Sequence, residues 1–247
     1  MQRGTDSRRV AVISGASSGI GEATARSLAA AGMDLALLAR RRDKIERLSR
    51  ELSSDNGRAL AIETDITDSA SVEAAAARVA EDLGGADVLV NNAGQMLLAP
   101  FGAERAEETR RMVETNLLGA MTLTSAFLGQ LRRNGGDLVN LSSLAGRTAS
   151  PRMSVYNATK WGMNGWSEAL RQELAPDIRV ILVEPGAVDT ELTSHITDER
   201  SKSSIERWYA KAGAIAPSEV AAVIAFAVGL PHHVSLSEIV VRSTNQA

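Results

Sequence analysis

The 247-residue sequence contains no cysteine, which excludes disulfides, thiolate metal ligands and a cysteine nucleophile together. Any redox chemistry therefore needs a borrowed cofactor. Aromatic residues are only 3% of the chain, so base-stacking platforms for single-stranded nucleic acid are not available and the core must be aliphatic. Charge of one sign is also missing: 27 basic against 30 acidic residues leave a net charge of −3, and no general attraction to polyanions. Any bound phosphate has to be met by a local basic cluster. No apolar run approaches the roughly 20 residues of a membrane span, and the polar stretch Met1 to Arg9 lacks a secretory apolar region. The protein is expected to be cytoplasmic, with no membrane or nucleic-acid partner.

What is present is a regular alternation. Short aliphatic runs at Val10–Ile13, Leu35–Ala39, Ala59–Glu63, Val88–Asn91, Asp137–Leu141, Arg179–Glu184 and Glu238–Val241 read as seven strands. Between them lie helical patterns at Gly19–Ala31, Arg42–Asp55, Ser69–Leu83, Glu107–Arg133, Val155–Leu174 and Ser218–Gly229. Strands alternating with helices predict right-handed crossovers and an α/β fold with a doubly wound parallel sheet. No repeat or composition break marks a second domain, so residues 10–247 are expected to form one domain after a tail of residues 1–9. Ala187–Pro217, about thirty residues without clear pattern, reads as an irregular lid.

After the first strand comes Ser14-Gly15-Ala16-Ser17-Ser18-Gly19-Ile20-Gly21, leading directly into a helix. In that context glycines let backbone N–H groups approach a pyrophosphate. The G-x-x-x-G-x-G spacing resembles the glycine motif of the classical short-chain dehydrogenase/reductase family, with Ser14 in place of a threonine. The resemblance runs from about Val10 to the C-terminus and implies a Rossmann-type sheet in the order 3-2-1-4-5-6-7. It also implies cofactor contacts from Gly15, Ser17, Ser18, Gly19, Ile20 and Gly21, from Asp65 and Ile66 at the adenine, and from Asn92, Ala93 and Gly94 of an N-N-A-G turn. Pro185, Gly186, Val188 and Thr190 match the family's P-G-x-V-x-T pattern near the nicotinamide.

The second strand is followed by Arg40-Arg41-Arg42. A dinucleotide fold that prefers NAD tends to carry an acid there for the ribose 2′-hydroxyl, whereas arginine suits a 2′-phosphate. No acid is available at that point in the sequence. These cations sit at a helix start, where the helix dipole disfavours them unless an anion binds. NADP(H) is therefore the expected cofactor, and the family resemblance implies Arg40, then Arg41, as its phosphate contacts.

Tyr156-Asn157-Ala158-Thr159-Lys160 places a tyrosine and a lysine at i and i+4 on one helix face. In isolation such a pair usually means packing plus a solvated charge. Ser143 lies thirteen residues before Tyr156, as in the family's serine–tyrosine pair, and that spacing favours chemistry. A nearby ammonium and an oxidised nicotinamide are expected to lower the tyrosine pKa towards neutrality, so that Tyr156 exchanges the proton at the substrate oxygen. Ser143, with Ser142 as the adjacent alternative, would orient that oxygen. Asn116, polar inside a long helix, is by resemblance the fourth member of the family's tetrad, holding a water that links Lys160 to solvent; Tyr156 and Lys160 also count among the cofactor contacts.

The substrate is expected to be a small carbonyl compound or alcohol. Its pocket would be walled by Met96, Leu97, Leu144 to Arg147, Met153 and parts of the lid, with Arg147, Arg152, His195 or Arg207 available to an acidic group. Glu191–Thr197 and the stretch from Pro231 to Arg242 resemble the clavaldehyde reductases of the family and, more loosely, its 3-hydroxy-acid dehydrogenases, which suggests secondary metabolism. A steroid- or polyketide-type ketoreductase would share every motif, and a cofactor-binding regulator would keep the glycine loop without needing the tetrad. The three histidines lack ligand spacing, so no metal is expected. Helices Glu107–Arg133 and Val155–Leu174 resemble the pair that packs between subunits in the family, implying a homodimer or homotetramer.

Overall fold

The structure, a computed structural model, describes residues 8–53 and 57–246. Most of the expected tail, residues 1–7, lies outside them. The chain alternates strands and helices in the order β1 (Val10–Ser14), α1 (Gly19–Ala30), β2 (Asp34–Ala39), α2 (Arg42–Leu52), β3 (Ala59–Glu63), α3 (Ser69–Leu83) and β4 (Val88–Asn91). It continues with α4 (Ala106–Val113), α5 (Gly119–Asn134), β5 (Asp137–Leu141), α6 (Ser154–Leu174), β6 (Arg179–Pro185), α7 (Glu199–Ala212), α8 (Pro217–Gly229) and β7 (Glu238–Val241).

The strands form one parallel sheet in the order β3-β2-β1-β4-β5-β6-β7, as expected. Successive side chains point to opposite faces, and both faces are covered, which is why the central strands are apolar throughout. Ala11, Ile13, Leu35 and Leu37 pack with α1, α2 and α8, whereas Val10, Val12, Ala36 and Leu38 pack with α3, α5 and α6. Between β1 and β4 the strand order reverses. In such sheets the crevice outside the carboxyl ends of the strands at the reversal is the natural ligand site.

Three sequence expectations change. The helix expected at Glu107–Arg133 is interrupted by a π turn at Glu114–Leu118, where the Gly119 N–H donates to the Glu114 carbonyl. Helix α2 ends at Leu52; its expected extension to Asp55 reaches residues outside the described set. The lid is not irregular: it holds a 3₁₀ turn at Glu191–His195 and the fourteen-residue α7, capped by the Asp198 side chain, which accepts from the Ser201 N–H.

Candidate active site

The glycine loop owes its shape to close packing. Gly15 and Gly19 have φ of +66° and +56°, which side-chain-bearing residues rarely adopt. A Cβ on Gly21 would collide with the Gly15 carbonyl oxygen and the Asn92 side chain. Ser14 shows why a hydroxyl is needed at its position: its Oγ accepts from the N–H groups of Asn92 (3.0 Å) and Ala93 (3.1 Å), tying β1 to the N-N-A-G turn. Asn92 returns the bond, donating from Nδ2 to the Ser14 carbonyl at 2.9 Å. At the start of α1 no side chain caps the helix, because the Ser18 hydroxyl instead accepts from Arg41 Nη2 at 2.5 Å. The first N–H groups of α1 thus face the cavity beside the glycine loop, where a phosphate would be stabilised.

Arg41 precedes α2 and spans the loop, its Nε donating to Ser17 Oγ at 3.0 Å. Its third arm, Nη1, donates to Glu191 Oε2 at 2.8 Å, and Lys44 reaches Glu191 Oε1 at 3.3 Å. These two cations hold the Glu191 carboxyl down at about 2. The sequence directly after β2 offers no acid, as read, but in space Glu191, from a remote part of the chain, stands against Arg41 and Lys44. Arg40, exposed beside them, helps keep the Asp65 carboxyl below its usual value: burial alone would raise it, but bonds from Thr67 and the Arg40 charge outweigh that.

Across the cavity, α6 carries Tyr156 and Lys160, both buried. Ser143, whose Oγ accepts from the Ala145 N–H at 3.1 Å, lies beside the Tyr156 phenol. Ser142 borders the cavity, and its hydroxyl donates to Asn164 Oδ1 at 2.5 Å. Lys160 Nζ donates to the Leu141 carbonyl at 2.8 Å and lies 5.8 Å from the centre of the Tyr156 ring. Burial pushes the phenol well above the ordinary tyrosine range, and Tyr209 adds to the rise, while Ser143 pulls it back. Burial likewise lowers the Lys160 amine to about 8. In the protein alone the phenol therefore stands above its ordinary range, because loss of solvent penalises the charged form of each group; the expected fall was that of the cofactor-bound site.

Asn116 lies in the π turn, 1% exposed, and its side chain is fully engaged. Oδ1 accepts from the Gln95 N–H at 2.7 Å, and Nδ2 donates to the Gln95 carbonyl at 2.8 Å and to Thr159 Oγ1 at 3.3 Å. The amide clamps the loop after β4 to the helix that carries Tyr156.

One cavity of about 320 Å³ joins these parts. Of the expected residues it brings together Gly15, Ser17, Ser18, Gly19, Ile20, Arg40, Arg41, Asp65, Ile66, Asn92, Ala93, Gly94, Tyr156, Lys160, Pro185 and Thr190. Gly21, Asn116, Ser143, Gly186 and Val188 are not part of its lining. Gly21 and Asn116 support it from behind, Gly186 packs under Arg242 and Gln246, and Val188 belongs to the core. Gln95, Arg111 and Thr115 line the cavity without having been expected to, and Glu191, Leu192 and His195 are among the parts of Ala187–Pro217 that do so. Gln95 and Thr115 adjoin Gly94 and Asn116, an adjacency that could have marked them.

Tyr156 packs into a buried apolar cluster of Met96, Leu97, Leu98, Met112, Ala145 and Ile196, with Met153, Leu192 and Ile205 against it. The expected pocket residues Met96, Leu97, Leu144 to Arg147 and Met153 do not line the cavity; of the cluster only Tyr156 and Leu192 do. Of the basic candidates for an acidic substrate group, Arg147 is withdrawn, its guanidinium held by the fully buried Glu184 and by Glu238. Arg152 pairs with Asp198 at 3.4 Å, and His195 lines the cavity.

A doubly wound domain whose carboxyl-edge cavity runs from a glycine loop to a buried tyrosine and lysine is the architecture of dinucleotide-dependent oxidoreductases. The chain belongs to the short chain dehydrogenase family, which matches residues 9–201. An uncharacterized oxidoreductase of Staphylococcus saprophyticus is 36% identical over 244 residues, covering 97% of each chain. Among solved structures, an alcohol dehydrogenase from the archaeon Thermococcus sibiricus, complexed with 5-hydroxy-NADP, superposes with a TM-score of 0.87 at 34% identity, covering 97% of this chain and 98% of that one. A 3-ketoacyl-(acyl-carrier-protein) reductase from Brucella melitensis, complexed with NADH, gives 0.83 at 31% identity over 98% of this chain and 99% of its own. No described helix is long and apolar enough to cross a membrane.

Proposed function

We propose that the chain is an NADP(H)-dependent oxidoreductase that interconverts a small carbonyl compound and its alcohol, with Tyr156 as the proton donor and acceptor. The observation that carries this reading is the Tyr156 phenol, followed one helical turn later by Lys160, on the wall of the cavity that the glycine loop opens. The positive-φ glycines, the uncapped start of α1 and the basic residues Arg40, Arg41 and Lys44 fit a phosphorylated dinucleotide, with its pyrophosphate at Gly15–Ile20 and its 2′-phosphate at the arginines.

When bound, the nicotinamide supplies or accepts the hydride at the substrate carbon. In reduction Tyr156 gives its proton to the substrate oxygen, and a phenol kept protonated by burial is suited to that step. Ser143 donates to the same oxygen and stabilises the negative charge that develops there. Lys160, while protonated, favours the phenolate left behind. Asn116 holds the loop and the helix in register, and a water relay from Lys160 would pass by this residue. The resemblance of Glu191–Thr197 to the clavaldehyde reductases makes aldehydes the first class to try. Leu118 and Trp161, large apolar residues left exposed on the expected subunit-packing helices, support a homo-oligomer.

The test is to supply NADPH or NADH with a panel of aldehydes, ketones and hydroxy acids and to follow the cofactor spectroscopically. Turnover with NADPH favoured is expected. Equal use of NADH would overturn the cofactor assignment, and turnover that survives Tyr156→Phe would overturn the proton-donor assignment.

A further inference from the structure

We propose that Glu191 is the residue that makes the site sensitive to the cofactor's 2′-phosphate: its carboxylate stands in for that phosphate against Arg41 and Lys44 and is displaced only by a phosphorylated dinucleotide. This rests on the cofactor reading above. Both carboxylate oxygens are used, one by Arg41 Nη1 at 2.8 Å and the other by Lys44 at 3.3 Å. The geometry resembles a cradled phosphate, with two cations converging on one anion at the start of α2, where the helix dipole also favours negative charge.

The pair is built to exchange. Glu191 is 50% exposed and Arg41 40%, and ion pairs this accessible are weak. The remaining arms of Arg41 stay anchored on Ser17 and Ser18, so the guanidinium keeps its place over the glycine loop when Glu191 leaves. Arg40, on the same cavity wall, has no ion-pair partner among the described residues and offers the incoming phosphate a first contact. A phosphate monoester carries more charge and more acceptor oxygens than a carboxylate, and wins the contest for a guanidinium. A ribose with a free 2′-hydroxyl has no anion to offer and leaves Glu191 where it is.

Displacement has a consequence at the other end of the cavity. Glu191 opens the turn Glu191–His195, which places Leu192 and His195 on the cavity wall, and the following residues are held separately, Thr197 by Glu108 and Asp198 by Arg152. NADPH therefore frees this turn near the substrate, and NADH does not.

The experiment is a fluorescence titration of wild type, Glu191→Gln and Glu191→Asp with NADPH, NADH and adenosine 2′,5′-bisphosphate. Glu191→Gln removes the competitor and its repulsion, so NADPH and the bisphosphate should bind about three- to tenfold tighter while NADH changes less than about twofold. Glu191→Asp should restore part of the competition. Equal changes for both dinucleotides would overturn the proposal, showing a merely structural turn. Weaker NADH binding alone would also overturn it, placing the carboxylate on the ribose hydroxyl. Wild type that binds neither dinucleotide would sink the cofactor reading and this inference together, whereas wild type that binds NADPH, with an unmoved ratio in Glu191→Gln, would sink this inference alone.

Discussion

Replacing Asn116 by alanine separates two roles for this residue. The side chain supplies both an acceptor to the Gln95 N–H and a donor to its carbonyl, at 2.7 and 2.8 Å, and Gln95 is only 8% exposed. Asn116→Ala leaves two backbone groups buried without those partners, at about 1–3 kcal/mol each. With partial relaxation a total of about 3 kcal/mol is reasonable, which in a chain of this size lowers the melting temperature by roughly 6–12 °C. Thr159, the third partner, itself donates to the Tyr156 carbonyl at 2.8 Å, so the loosened clamp should also reach the helix that positions the phenol. Asn116→Asp should melt no higher than the alanine variant, because it keeps the acceptor but sets a second oxygen against the Gln95 carbonyl. Thermal unfolding without cofactor, followed by steady-state turnover, is the assay. A variant that melts within about 2 °C of wild type yet loses activity would refute the clamp and leave a relay role alone.

Two further outcomes follow from the acid–base pair. Tyr156→Phe should retain the fold, because the ring keeps its packing with Leu97, Met112 and Ile196, and should cut turnover by about 10²- to 10⁴-fold with little change in cofactor affinity, measured by titration and kinetics in parallel. Lys160 carries its positive charge below about 8 and loses it above, so reductive turnover should fall as pH rises through that value; a profile flat well past pH 8 would remove the lysine from the proton step.

The sheet was legible because its determinants are local. Aliphatic runs such as Leu35–Ala39, buried on both faces, and the glycine turn between β1 and α1 state their conformations residue by residue. The π turn was not, because it adds one residue to a helical turn without altering the apolar pattern that announces the helix. Helix α7 escaped because its apolar residues are few, Ile205, Trp208 and Tyr209 among charges, although Asp198 before it and Gly213 after it are ordinary cap residues. The tetrad residues stood out through spacing, whereas the contact between Glu191 and Arg41 joins positions 150 residues apart and has no spacing to read. Charge was legible and desolvation was not. Lys160 beside Tyr156 suggests a lowered phenol pKa until the burial of both is known.

That burial makes the last prediction. With the phenol pushed up, the protein alone keeps Tyr156 protonated, beside a Lys160 that is charged below about 8, and a protonated phenol is the state needed to deliver a proton and not to take one. Reduction can begin from it directly, whereas oxidation needs a phenolate, which requires added positive charge beside Tyr156; an oxidised nicotinamide carries that charge. The chain has only two tyrosines, and burial lifts Tyr209 as well, to about 12. The ultraviolet absorbance of tyrosinate should therefore be absent from the free protein at pH 10, where an ordinary tyrosine is about half ionised. Adding oxidised cofactor at that pH should bring out the signal of one phenolate, and the signal should vanish in Tyr156→Phe. Tyrosinate already present in the free protein at pH 10 would mean that Lys160 outweighs burial, and that Tyr156 can act as a base before any cofactor arrives.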